Sequence, residues 1–441
     1  MDELERLRAE HAAFCGEGLS LNMERGQPSD ANFDLSLPML QAVGPDAVVT
    51  DSGVDIRNYP GGIAGLREAR ELFAPTIGAR AEEIIVANNS SLELMGQVLG
   101  WALLRGVKGS PAPWSRGPAK LIVTVPGYDR HFGLAEALGY ELVSVPITAE
   151  GPDIDAIERL VADDADIKGL YFVPNYSNPT GDSLSAAVAE RLMRMSCAAP
   201  DFTIFADDAY AVHHLEAPET PPPSLLRVAE KAGRPDRVIL FGSTSKVTFA
   251  SGGLAFCAMS TDNLAYWSKL FSAQSIGPNK VEQWRHVRFL NAYPNGIAGL
   301  MADHAAILGP KFDAVAEVLQ RELGNRDLAR WSDPRGGYFV SVDTLLPVAS
   351  RVVALAREAG VSLTPTGATF PGGLDPNDAN IRLAPTRPAL DEVRKAMQVF
   401  ACCVRLASAE HRAKDLSRPG DTDGDTDGGA DGGAARAGQE G

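Results

Sequence analysis

No apolar run in this chain approaches the ~20 residues that a helix needs to cross a bilayer, so no membrane span is expected. The opening Met1-Asp2-Glu3-Leu4-Glu5-Arg6-Leu7 reads as a charged amphipathic helix start, not as a signal peptide. Cysteine is sparse and odd in number. Cys15, Cys197, Cys257 and the adjacent Cys402 and Cys403 form no CxxC pair with histidine, which indicates neither a disulfide framework nor a zinc site. No metal is expected, and a reducing cytoplasm fits this cysteine usage best. Runs of Lys or Arg are missing too. With a formal charge of −16, nucleic acid and anionic membranes are excluded as expected partners. No internal repeat is visible, and no helix-turn-helix extension ahead of the fold is expected.

What is present is ordinary soluble composition, 45% hydrophobic and 22% charged, over 441 residues, enough for two or three domains. Residues 1–20 read as helical, a turn-rich Asn22–Pro28 follows, and a helix is expected near Leu37–Val49. From Glu83 to Met259 short apolar runs alternate with amphipathic stretches. The strands are expected at Ile84–Ala87, Leu121–Val125, Leu142–Val145, Leu170–Val173, Phe202–Ala206, Arg237–Phe241 and Leu254–Cys257. Helices are expected at Leu92–Leu104, from Tyr128 through Leu138, at Ile154–Val161 and at Ser185–Ala198. That alternation predicts an α/β fold with a mostly parallel, seven-stranded sheet flanked by helices. In such sheets ligands bind beyond the carboxyl ends of the strands.

Helices dominate Thr261–Arg326, and a smaller α/β unit follows, with strands at Tyr338–Val342, Val361–Leu363 and Asn380–Leu383 and a last helix from Leu390 to about Ala409. The expected division is an N-terminal segment (1–49) joining a C-terminal small domain (311–412), a large domain (50–310), and a tail (413–441). From Ser417 the chain is Gly-rich and acidic with no apolar anchor, which predicts disorder. An Asp-x-Asp-x-Asp-Gly spacing begins at Asp423, but its twelfth position is Ala434 instead of Glu, so a solvated tail is expected there and not a calcium loop.

The polar motifs gather at strand ends. Phe241-Gly242-Ser243-Thr244-Ser245-Lys246 puts a lysine just past a core strand, where desolvation favours the neutral amine and nucleophilic attack on a carbonyl. On its own such a lysine also reads as one that snorkels to solvent. Asp207 and Tyr210 end another core strand; a buried carboxylate needs a cationic or hydrogen-bonding partner, although a helix cap is the plainer reading. Pro174-Asn175-Tyr176-Ser177-Asn178-Pro179-Thr180-Gly181 is a sharp turn whose Asn178 amide suits a phenolate oxygen, or serves only the turn. Tyr128, in Pro126-Gly127-Tyr128-Asp129-Arg130-His131, can stack on a planar ring or simply pack. Ser90 and Ser91 open a helix, which suits a phosphate or plain capping. Arg382 offers a fork for a carboxylate or a structural salt bridge.

In order along the chain, Tyr59 in a Tyr-Pro-Gly-Gly segment, Ser90-Ser91, Tyr128, Asn178-Pro179-Thr180-Gly181, Asp207-x-Ala209-Tyr210, Ser243-x-Ser245-Lys246 and Arg382 resemble the aspartate aminotransferase family. These are pyridoxal 5′-phosphate enzymes of fold type I. The longer strings VPGYDRHF, VPNYSNPTG, DDAYAVHHL and GSTSK resemble its type Ic subgroup, over residues 20–405. The resemblance implies pyridoxal phosphate as cofactor, amino acid and 2-oxo acid substrates, a homodimer, and L-aspartate:2-oxoglutarate transamination by a ping-pong route. It implies Lys246, Asp207 and Tyr128 as catalytic residues. Lys246 would form the Schiff base and move the proton, Asp207 would keep the ring nitrogen protonated with His131 behind it, and Tyr128 would stack on the ring. Asn178 and Tyr210 would bind the 3′-oxygen, and Ser90, Ser91, Ser243 and Ser245 the phosphate, with Tyr59 reaching in from a second subunit. Arg382, Asn178 and Gly26 would take the substrate. Many relatives carry an arginine eight residues after the lysine, where this chain has Leu254. The reader of a second substrate carboxylate is open among Arg25, Arg130, Lys280 and Arg285. A lyase or a transaminase for another amino acid, and more remotely a cofactor-binding regulator, are the alternatives.

Overall fold

The computed structural model describes residues 2–59, 62–218 and 220–416. Its strands are β1 (Leu21–Asn22), β2 (Ile84–Val86), β3 (Lys120–Val125), β4 (Glu141–Thr148), β5 (Gly151–Pro152), β6 (Ile167–Phe172), β7 (Thr203–Asp207), β8 (Val238–Ser243), β9 (Ala255–Ala258), β10 (Ala329–Trp331), β11 (Val340–Thr344), β12 (Val361–Ser362) and β13 (Asn380–Leu383). The large sheet has the order β2-β9-β8-β7-β6-β3-β4-β5. Neighbours from β8 through β4 are parallel, whereas β9 opposes both of its neighbours. The expected seven strands are all there. The eighth, β5, is a two-residue antiparallel addition at the edge, where the missing N–H of Pro152 is tolerated.

Strands β7 and β8 are buried almost end to end, as a sheet covered on both faces requires. Alternate residues face opposite ways. Ile204, Ala206, Val238 and Leu240 pack with Ile157, Leu192 and Val287, while Phe205, Ile239 and Phe241 pack with Leu94, Val98 and Phe132 from the other side. Helix starts are fixed locally: Ser90, Asp153 and Ser185 each accept a hydrogen bond from the backbone N–H three residues on.

A third cluster joins Leu7 and Met23 to residues from Leu308 to Ala407, so the two ends of the described chain share one core. It contains the sheet β10-β11-β13 and a parallel pairing of β1 with β12, Leu21 opposite Val361. The pairing converts part of the expected turn region into strand. Residues 37–49 form only a 3-10 turn, Leu37–Gln41, because Gly44-Pro45 stops a helix. The last helix, Leu390–Leu416, runs past the expected stop and includes 413–416, while the rest of the acidic tail and Pro60-Gly61 lie outside the described residues. Among the described residues no helix is long and apolar enough to cross a membrane, and all five cysteines are unpaired.

Phe400 is fully buried in the third cluster. Phe400→Ala should lower unfolding free energy by about 3–5 kcal/mol in equilibrium denaturation, and a loss below about 1 kcal/mol would contradict this packing.

Candidate active site

The carboxyl ends of β3, β6, β7 and β8 open onto one cavity of about 300 Å³. Asp207 is the last residue of β7, in register with Phe241 of β8. The residue is only 3% exposed. His131 Nε2 donates to Asp207 Oδ2 at 2.9 Å, and Asp207 Oδ1 is buried with no partner among the described residues. Leaving a carboxylate oxygen dry and unbonded is costly. The lone oxygen therefore fits a donor carried by a ligand, such as a protonated ring nitrogen. His131 is held from its far side, its ring stacked 3.9 Å from that of Tyr171, whose hydroxyl points at Met95 Sδ.

Lys246 lies three residues beyond the end of β8, half-buried on the cavity wall. Burial lowers its pKa, and the charge of Asp207 partly opposes that shift. Its Nζ sits 5.2 Å from the ring centre of Tyr210 and makes no hydrogen bond or ion pair among the described residues. Burial pushes the Tyr210 phenol well up, so it stays a donor at neutral pH. Tyr128 is pushed up as well, by burial first and then by the charges of Asp207 and Asp129. The turn that presents Tyr128 requires Gly127, since a Cβ there would fall 2.1 Å from the Thr124 carbonyl oxygen.

At the other end of the cavity, Ser90 Oγ caps the helix Ser91–Arg105. Ser243 Oγ donates to Ser245 Oγ at 2.7 Å and accepts from the Ser245 N–H. Four serines and a helix N-terminus thus suit a phosphate. Leu254 is fully buried in the core; its backbone N–H donates to Thr244 Oγ1 and its carbonyl accepts from the Thr244 N–H, so it brings no charge to the cavity. Among the described residues Lys246 is the single cation lining this cavity.

A second cavity, about 360 Å³, shares Tyr128, Asn178, Tyr210 and Lys246 with the first. Arg382, from β13, forms part of its wall and is 7% exposed. Its Nη1 donates to Asp129 Oδ1 at 3.0 Å and to Asn178 Oδ1 at 3.2 Å, and Nε reaches Thr364 Oγ1 at 3.3 Å. The guanidinium lies 4.9 Å from the Phe339 ring centre. Gly26 borders the same cavity and admits no larger residue, because a Cβ would fall 2.4 Å from Phe339.

Of the expected site residues, only Tyr59 and His131 line neither cavity: His131 stands behind Asp207, and Tyr59 is 70% exposed. Among the candidate distal cations Arg25 and Arg130 border the second cavity. Arg285 is paired with Glu282 at 2.7 Å, and Lys280 is buried away from both cavities. Sequence reasoning missed Asp129, although it directly follows Tyr128, and Thr364 and Phe339, whose segments carry no polar motif. It also passed over Asp208. That carboxyl is buried beside Asp207 and accepts twice from Asn175 Nδ2, at 2.9 and 3.0 Å. Burial pushes its pKa up to about 7, with the charge of Asp207 adding and the Asn175 bonds opposing.

The arrangement, a strand-end lysine facing a buried carboxylate with an anion cradle on one side and an arginine on the other, is that of a pyridoxal phosphate-dependent aminotransferase. Residues 1–416 match the family described as aspartate amino-transferase. The chain is 41% identical over 400 residues to an aspartate aminotransferase of Corynebacterium glutamicum, covering 90% of this chain and 91% of that one. It is 46% identical over 403 residues to a Mycolicibacterium smegmatis protein that bears an aminotransferase name, covering 91% and 94%. The crystal structure of an aspartate transaminase from Corynebacterium glutamicum superposes with a TM-score of 0.89 at 40% identity, over 92% of this chain and 96% of that one. This chain belongs to the aspartate aminotransferase family. Its fold is fold type I, and its cofactor is pyridoxal phosphate.

The raised Asp208 pKa has a signed consequence. The folded state favours the neutral carboxyl, so its stabilisation is full below the ordinary aspartate pKa of about 4 and is lost as pH rises through about 7. Asp208→Asn should flatten the fall in Tm between pH 5 and pH 8, by roughly several degrees. Identical Tm profiles for the two proteins would refute a neutral Asp208.

Proposed function

We propose that the enzyme moves an amino group between L-aspartate and 2-oxoglutarate by a ping-pong route. The observation that carries this is the junction of two cavities at Lys246, one holding the unpaired Asp207 oxygen and the other Arg382. Pyridoxal phosphate supplies a carbonyl for amine exchange and a ring that withdraws electrons. The chain's own residues do the rest. Lys246 Nζ, whose pKa burial lowers, takes the substrate Cα proton and returns it. Asp207 Oδ1 accepts from the ring nitrogen, with His131 fixing the carboxylate from behind. Asn178 and the Tyr210 hydroxyl donate to the phenolic oxygen. Tyr128 packs on the ring face, and Ser90, Ser91, Ser243 and Ser245 take the phosphate.

Arg382, beside Asn178 and Gly26, receives the substrate α-carboxylate. Arg25 and Arg130 bind the distal carboxylate, a choice supported by their place on the second cavity. The aspartate reading also draws on the name of the Corynebacterium glutamicum relative. A homodimer, with Tyr59 reaching the partner's phosphate, is supported by the 70% exposure of Tyr59, which lines neither cavity of its own chain. The proposed domains are a large one over 50–310 and a small one built from 1–49 and 311–412. Two observations bear on the borders: helix Gly296–Leu323 passes through residue 310, and Met39 packs with the large sheet. Cytoplasmic residence is supported by the unpaired cysteines.

Lys246→Ala should lower turnover of L-aspartate by at least about 10²–10⁴-fold in a coupled assay while the protein stays folded; near-normal turnover would reject the proton-transfer role. Arg25→Ala combined with Arg130→Ala should raise KM for L-aspartate far more than for L-alanine. Equal effects on the two amino acids would remove these arginines from dicarboxylate recognition.

A further inference from the structure

The guanidinium of Arg382 already holds a carboxylate, and that carboxylate belongs to the chain itself. Arg382 Nη1 pairs with Asp129 Oδ1 at 3.0 Å, while Nη2 makes no hydrogen bond among the described residues. Arg382 is nearly buried, and the Asp129 side chain is 36% exposed. Asp129 thus grips the fork at one point from the wet side. A free carboxylate can engage two N–H groups of the fork at once, which is the stronger arrangement.

Letting go is easy for Asp129. It is the first residue of helix Asp129–Ala137, where the unpaired N–H groups favour a negative charge whether or not Arg382 is near. It can also return to water, being partly exposed already. For Arg382 the pairing matters more, since a nearly buried guanidinium without an anion is costly. The other groups around the fork, Asn178 Oδ1, Thr364 Oγ1 and the Phe339 ring, are neutral and supply no counter-charge.

We propose that Asp129 is an internal competitor for the carboxylate subsite, occupying Arg382 between turnovers and yielding to the substrate. The proposal rests on the reading of Arg382 as the α-carboxylate receptor. Asp129 acts through Arg382 and touches no reacting atom, so it is a positioning residue whose signature lies in KM and not in kcat. Removing its charge leaves the fork seated by Asn178, Thr364 and Phe339 but free of its rival.

The experiment uses holoenzyme of the parent, Asp129→Asn and Arg382→Gln. It measures KM and kcat for L-aspartate and 2-oxoglutarate, and the inhibition constant of succinate, a dicarboxylate that cannot react. Asp129→Asn is expected to lower both KM values and the succinate constant on the order of three- to tenfold, with a much smaller change in kcat. Asp129→Ser, which keeps a capping side chain, should do the same if the Asn variant folds poorly. Unchanged or raised KM and succinate constants in the Asp129 variants, with Arg382→Gln losing succinate, would overturn the competitor alone. Arg382→Gln binding succinate as tightly as the parent would overturn the carboxylate reading of Arg382 together with the competitor built on it.

Discussion

One half-satisfied carboxylate organises this molecule. Asp207 is buried at the end of a central strand, with one oxygen bonded to His131 and the other bonded to nothing in the chain. Holding a charge there demands support behind it, and the support is layered: His131 on Asp207, Tyr171 stacked on His131, Met95 under the Tyr171 hydroxyl. These come from β6, β7 and two flanking helices, so the sheet and one of its covering layers are both spent on aiming a single oxygen. A chain does not bury such a group unless something else completes it.

The same strand ends that present Asp207 also present Lys246, Asn178 and Tyr128, and this is a matter of topology. Parallel strands point their carboxyl ends the same way, so residues far apart in sequence meet without long loops. Desolvation then acts differently on each group gathered there. It lowers the pKa of Lys246 and raises those of Tyr210 and Tyr128, so an amine loses its proton more readily while two phenols keep theirs.

The large sheet was legible in the sequence because its strands are short apolar runs separated by amphipathic helices with Ser or Asp caps. The cofactor-side residues were legible for the same reason, each sitting at the end of a strand or within six residues beyond it. Less could be seen where partners are distant. The β1–β12 pairing joins Leu21 to Val361; the second segment reads as a strand, but nothing local marks Leu21 as its partner. Asp208 was passed over beside Asp207, because its Asn175 partner and its raised pKa come from the fold and not from local sequence. Asp129 meets Arg382 across more than two hundred residues of chain, and no spacing rule connects them. The expected helix over 37–49 was a misreading of composition, since Gly44-Pro45 interrupts it.

The 28-residue helix Gly296–Leu323 packs its first turns with the large sheet and its later ones with the core shared by both chain ends, and Pro310 lies inside it. A proline there deletes a rung of the helical ladder and lets the rod bend. Lys246 rides on the sheet side of that rod, whereas Arg382 rides on the other. Arg382 is tied back across that division by its bonds to Asp129 and Asn178, which follow strands of the large sheet, so the spacing of the two substrate handles is a property of the whole molecule.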